Sequence, residues 1–265
     1  MKSYKFTTIY QAKKDTGLNY LGNIDISSKL VKNKKVSNQF TYILYLMPSS
    51  ASGYNVCPMA TKECIAGCLN TSGRVKIDTK NRILNARMKK TKLFFEHKEF
   101  FLQWMFAEIK NAKKIAKKNG FKFSVRLNGT SDLNWQIYKL NGKNVFETFS
   151  NVQFYDYTKI YKMFSKITPN YHLTFSYSGY NWINSLFLLN EGFNVAVVFN
   201  VKKGQPLPKT FRGYKIIDGD LTDYRPDDKK GCIVGLRWKD IKNKKANEFV
   251  KHSPFVVQTE VEELV

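Results

Sequence analysis

The sequence predicts an α/β protein, a complete or partial (β/α) barrel with a three-cysteine metal loop after its first barrel strand. Two observations carry the fold: a series of short apolar runs that each end in small or polar residues, and helix-period stretches between several of them. A third, the presence of Cys57, Cys64 and Cys68 within twelve positions, carries the loop. An open doubly wound sheet would satisfy the same alternation of strand and helix.

Residues 1–40 are polar and read as an N-terminal extension, with a short strand or turn at 20–24. The first barrel strand is Tyr42-Ile43-Leu44-Tyr45-Leu46, stopped by Pro48. Residues 76–119 change to helix: Ile83, Ala86, Phe94, Phe101, Met105, Ile109 and Ile115 recur at three-, four- and seven-residue offsets. Asp78 or Thr79 caps the start, Asn119-Gly120 stops the run, and its length predicts two helices broken between 96 and 99. Strands then follow at 123–127, 152–155, 171–175, 194–199, 214–217 and 232–236, with a helix over 181–191. Residues 41–240 form the barrel-like domain and 241–265 a C-terminal segment.

Hydrophobic residues at 43% and aromatics at 15% allow a large core. The start, Met1-Lys2-Ser3-Tyr4-Lys5-Phe6, has no apolar stretch behind it, and no apolar run is long enough for a bilayer. A cytoplasmic protein with no membrane partner is expected. Forty-four Lys and Arg against 21 Asp and Glu give a net charge of +23, which attracts polyanions and makes nucleic acid the expected partner. A lysine-rich composition with solvated charges and no partner would give the same number. Fifteen of these cations against four acids lie between Arg74 and Lys122, and Arg82, Arg87, Lys89 and Lys90 are the candidate nucleic-acid contacts.

Clustered thiols in a reducing compartment read as metal ligands before disulfides. Cys57, Cys64 and Cys68 are spaced by six and three residues on a Gly-, Ser- and Pro-rich loop, and thiolates suit iron–sulfur clusters or, as the alternative, zinc. Three cysteines in one loop would leave one iron of a [4Fe–4S] cluster open. Cys232 could close the site, but it starts a strand while the loop follows the end of one, so it is expected to be a buried core thiol.

In a parallel barrel, chemistry gathers where strands end. Asp132, Asp156, Lys159 and Asp218 are the catalytic candidates on that rim, and Asn128, Gly129, Thr130, Ser131 and Ser176 the cofactor-binding ones. Arg126 sits inside a strand, where a charge needs a partner or points into the site. The chain has no Walker loop, no G-x-S-x-G elbow and no His-hydrophobic-His pair, so classical hydrolase and nucleotide-triphosphatase readings lack support.

Cys57-Pro58, Cys64, Cys68-Leu-Asn-Thr-Ser-Gly-Arg74, Val125-Arg-Leu-Asn-Gly-Thr-Ser-Asp132, Phe154-Tyr-Asp-Tyr-Thr-Lys159, His172-Leu-Thr-Phe-Ser176 and Ile217-Asp-Gly-Asp220 together resemble the phage "gene product 88" family over residues 40–240. That resemblance implies a phage or mobile-element protein acting in the host cell. The layout is also similar to radical S-adenosylmethionine enzymes, whose cysteines are spaced by three and two residues. This likeness implies that Cys57, Cys64 and Cys68 hold a [4Fe–4S] cluster and that residues 128–131 contact S-adenosylmethionine. The expected function is an iron–sulfur enzyme acting on or near nucleic acid. The other reading is a non-catalytic nucleic-acid-binding replication or host-takeover factor with a structural metal.

Overall fold

In the computed structural model, which describes residues 3–24, 28–241 and 243–259, the apolar runs become the strands of one large sheet. The chain begins with α1 (Ile9–Thr16), β1 (Gly22–Asn23), α2 (Ser28–Ser37) and β2 (Gln39–Leu44). Three short or long helices follow, α3 (Lys62–Ala66), α4 (Arg74–Ile77) and α5 (Arg82–Glu96), and then α6 (Lys98–Lys118) and β3 (Lys122–Arg126). A small hairpin of β4 (Lys139–Leu140) and β5 (Lys143–Asn144) leads through α7 (Val145–Thr148) to β6 (Gln153–Thr158) and β7 (Tyr171–Ser176). The remainder is α8 (Trp182–Asn190), β8 (Asn194–Phe199), β9 (Thr210–Phe211), β10 (Tyr214–Asp218), β11 (Ile233–Arg237), α9 (Lys244–Lys251) and β12 (Val256–Val257).

The strand order is β1-β2-β3-β6-β7-β8-β11-β10-β9, and the seven central strands are parallel. The short strands β1 and β9 pair antiparallel at the two ends and meet no further strand among the described residues, so the sheet there does not close into a complete barrel. The ends nevertheless approach each other. Residues after β10 reach back to α2 and to β3: Thr222 Oγ1 and the Asp223 N–H donate to Asn33 Oδ1 (3.1 and 3.0 Å), and Arg126 donates to both oxygens of Asp223 (2.7 Å). Side chains fill the gap where strand pairing would otherwise complete the ring.

Pleat alternation sorts the side chains onto two faces. Phe40, Tyr42 and Leu44 of β2, Val125 of β3, Phe154 of β6 and Leu173 of β7 face the helices, where α6 covers them with Phe101, Trp104, Met105 and Ile109. Each such side chain taken out of water contributes about 1.5–3 kcal/mol. The opposite face is polar at its lower end: Asn33 donates to Thr41 and to the Tyr155 hydroxyl, and Thr41 shares a hydrogen bond with Ser124. His97 breaks α5 from α6 inside the window expected from the sequence, and Gly120 ends α6 with φ +72°.

The first residues are fastened by a buried carboxylate. Glu108 of α6 accepts from the Leu21 and Gly22 N–H groups and from the Tyr42 hydroxyl at 2.9–3.1 Å, while Lys90 donates to the Leu21 carbonyl (2.6 Å). The C-terminal elements return to the sheet. β7 pairs with β8 only over Asn194–Ala196, and β12 takes its place beside Val198 and Phe199. Gly179 lets the chain after β7 pass under this segment: a Cβ there would lie 2.7 Å from the Pro254 carbonyl oxygen.

At the start of β7, the His172 ring is enclosed and its Nε2 has no hydrogen-bond partner among the described residues. Burial first, then the nearby charges of Arg225 and Lys230, push its pKa from 6.5 down to about 4. The folded chain therefore binds this proton less well than the unfolded one. The stability contributed by neutral His172 is complete above pH 6.5 and is lost as pH falls toward 4. Urea-unfolding midpoints should drop across that window more steeply in the native protein than in His172→Gln, and parallel profiles would exclude His172 as the cause.

Candidate functional site

The carboxyl ends of β2, β3 and β6 are tied into one rim. Gly129, just past β3, donates its N–H to the Leu44 carbonyl (2.9 Å), and Thr130 Oγ1 donates to the Leu46 carbonyl (2.5 Å). Only glycine allows this crossing, because a Cβ on residue 129 would lie 2.6 Å from the Leu44 oxygen and 2.7 Å from the Tyr45 ring. Asp132 completes the knot: its N–H donates to the Val56 carbonyl (2.7 Å), and its carboxylate accepts from Thr158 Oγ1 (2.7 Å) and from the Lys159 N–H (2.8 Å). One residue thus joins the cysteine segment to the tails of two strands.

The three thiols lie along this rim. Cys57 Sγ accepts the Ser49 N–H (3.4 Å) and stands 4.0 Å from the Thr130 carbonyl oxygen. Cys64 is in α3, whose first turn is capped by Thr61 Oγ1 accepting the Cys64 N–H (3.2 Å), and Cys68 follows directly after Gly67. The thiols are near enough to affect one another's charge. Burial pushes Cys57 up to about 12, and Cys68 and Cys64 add to the rise. Burial also raises Cys68, which Arg87 and Lys159 partly counter. Lys159 lies among their charges: burial opposes its ammonium, but Cys64, Asp132 and Cys57 together raise its pKa. Among the described residues, no three Cys, His, Asp or Glu side chains surround one point as a ready-made metal site. As donors, three soft thiols beside one cation suit a thiolate-bound cluster. None of the four cysteines is in a disulfide, and Cys232 is buried at the amino end of β11, its N–H on Asn194 Oδ1, at the opposite end of the strands from the rim.

Beside the rim opens a cleft of about 2170 Å³ on the concave face of the sheet. Fourteen Lys and Arg side chains and three Asp line it, so its field is strongly positive. Gly129, Thr130, Lys159 and Ser176 are on its wall, as are Arg82, Arg87, Lys89 and Lys90. Lys90 is nonetheless turned inward, 4% exposed, its ammonium on the Leu21 carbonyl and its pKa pushed down to about 8 by burial, so it is not a surface cation. Arg87 is held by the Asn70 side chain and lies over the Tyr45 ring.

The remaining candidates stand behind the wall. Asp156 is inside β6, because the strand runs on to Thr158; it alternates with Tyr155 and Tyr157 and accepts from the Asn128 N–H (2.8 Å) and the Tyr171 hydroxyl (3.1 Å). Burial raises its pKa to about 7 against the pull of Arg126. Asn128 Oδ1 accepts from Ser131 Oγ, the Leu133 N–H and Trp135 Nε1, which makes Asn128 and Ser131 supports of the tail. Asp218 forms a two-pronged pair with Arg237 (2.8 Å each). Tyr45, Tyr157 and Trp238 also line the cleft and were not among the sequence candidates. Tyr157 could have been found from alternation with Tyr155, and Trp238 from its place directly after a strand end.

A family model described as Gene product 88 matches residues 17–252. No curated protein and no solved structure matches the chain.

Removing the Asp132 carboxylate leaves the Lys159 N–H without its acceptor and the Thr158 hydroxyl with only the Met163 sulfur (3.6 Å), at about 1–3 kcal/mol for each buried donor. Asp132→Ala should lower the unfolding free energy by roughly 3 kcal/mol and speed alkylation of Cys57 in the folded protein. Unchanged stability and alkylation would show that the rim holds without it.

Proposed function

The chain belongs to the Gene product 88 family, and from that premise we propose that it is an iron–sulfur enzyme acting on nucleic acid. Cys57, Cys64 and Cys68 would be the cluster ligands, on the segment that Asp132 ties to the rim beside the basic cleft. The observation that carries this reading is geometric: Cys57 stands against the Thr130 carbonyl, and Asp132 ties the cysteine segment to the strand ends that border a positive cleft.

A [4Fe–4S] cluster held by three thiolates supplies an electron and an open iron, the position where S-adenosylmethionine would bind. The protein's own contribution can be read from its residues. Lys159, half-buried on the cleft wall, would offset the negative charge of the thiolates. The Gly129–Thr130 backbone and Ser176 offer hydrogen-bonding groups on the wall for a polar cofactor. Asp132, Asp156 and Asn128 act as positioning residues that fix the tail. Arg82 and Lys89, both exposed on α5, attract and hold phosphates.

The other reading, a non-catalytic factor with a structural metal, needs a fourth ligand. Cys232 sits at the far end of the strands, which favours a centre with an open position. The two readings predict different spectra. Protein purified without oxygen should show the visible absorbance of an iron–sulfur cluster; Cys64→Ser should lose it, and Cys232→Ser should retain it. Loss in Cys232→Ser would favour the closed structural site.

Binding to nucleic acid should be salt-dependent. Contacts to six or more phosphates would weaken affinity by about 10³-fold or more between 50 and 200 mM salt. Arg82→Glu with Lys89→Glu should reduce binding at low salt by at least about tenfold, given one counterion released per phosphate contact. A double variant that binds like the native protein would assign the charge to composition alone.

A further inference from the structure

The cleft carries aromatic rings where a trough for a phosphate backbone would need only cations. Tyr20 lies under the Lys90 ammonium (4.4 Å), Tyr45 under Arg87 (4.9 Å) and Tyr157 beside Arg126 (4.9 Å). Trp238 lies close to Gly67, next to Cys68 in the chain, and its indole N–H is enclosed without a hydrogen-bond partner among the described residues. All four rings are on the cleft wall.

Charge and apolar surface are layered. Cations at the mouth come from separate elements: Lys35 of α2, Arg74 of α4, Arg82 and Lys89 of α5, Lys202 after β8 and Lys251 of α9. The floor includes Ala196 and Val198 of β8 and Leu236 of β11. Phosphates would thus meet charge at the entrance, and a flat apolar group would meet rings and aliphatic side chains below.

We propose that the cleft receives a single nucleotide separated from its neighbours, its base stacked among Tyr45, Tyr157 and Trp238 and its flanking phosphates held at the mouth. The Trp238 N–H is the donor that an acceptor on the base would satisfy. This rests on the nucleic-acid reading above and narrows it to unpaired or extruded nucleotides, in the manner of proteins that act on a base outside the stack. Trp238 reports on occupancy, because Trp104 and Trp135 are fully buried in the core and Trp182 is covered by Arg212 (4.6 Å).

The test uses the full chain and labelled DNA and RNA strands of roughly twelve nucleotides, within the usual site size of a single-strand binder, beside fully paired duplexes of the same sequence. Fluorescence anisotropy at low salt should give single strands at least about tenfold tighter affinity than duplexes, since a duplex must first be unpaired. Single strands should also quench the indole emission. Trp238→Phe should abolish that quench, and Tyr45→Ala should weaken single-strand affinity roughly tenfold, the scale of one base–aromatic stack, without altering duplex affinity. Equal affinity for strand and duplex, or a quench that survives in Trp238→Phe, would overturn the inference while leaving nucleic-acid binding in place. Binding to neither probe would overturn both.

Discussion

The site depends on the knot made by Asp132. Its N–H holds the cysteine segment through Val56, and its carboxylate holds the end of β6 through Thr158 and Lys159, so the three loops after β2, β3 and β6 share one anchor. A buried carboxylate is costly in the charged form, and burial does raise the Asp132 pKa; hydrogen bonds from Thr158 and Lys159 and the Lys159 charge offset part of that rise. Gly129 and Thr130 add two more ties to β2 within the same turn. The rim is therefore set by hydrogen bonds from one short tail, and the thiols are carried on it.

Electrostatics then separates the molecule into two regimes. On the helix-facing side, ionisable groups are few and satisfied internally, as in the Glu108 clamp with Leu21, Gly22 and Tyr42. On the concave side, cations outnumber acids along the cleft, and the two buried arginines there find specific partners, Arg126 in Asp223 and Arg225 in Asp228 (3.0 Å). Lys159 lines the cleft and feels the charge of Cys64, Asp132 and Cys57, which links the basic cleft to the cysteine rim. Positive potential near thiolates favours bound anions of either kind, the sulfur ligands and an incoming phosphate.

Much of the sheet could be read from the sequence because its strands are apolar runs bounded by turn residues. β8 matches its expected limits at both ends, Asn194 and Phe199. The sequence pattern ends β6 at Tyr155, three residues early, because Asp156 resembles a strand terminator; its carboxylate is satisfied by Asn128, Leu127 and Tyr171 inside the fold, and sequence spacing cannot reveal such partners. α1 and α2 are lysine-rich and lack a broad apolar stripe, which hid them. The strand-end tails expected from the sequence do meet at one cleft, with Gly129, Thr130, Lys159 and Ser176 on its lining. Lys90 shows the limit of reading charge from composition: four carbons of its side chain are enough to bury it, and its ammonium serves the N-terminal segment. The failure of the sheet to close follows from the antiparallel end strands β1 and β9, two residues each, which no apolar pattern announces.

The account turns on what the three rim thiols hold. The direct measurement is iron, zinc and acid-labile sulfide content of the full chain purified without oxygen. Holding a [4Fe–4S] centre, it should contain about four iron and four sulfide per chain and no stoichiometric zinc. One zinc per chain without sulfide would contradict the iron–sulfur assignment, and a metal-free protein would contradict the metal centre itself.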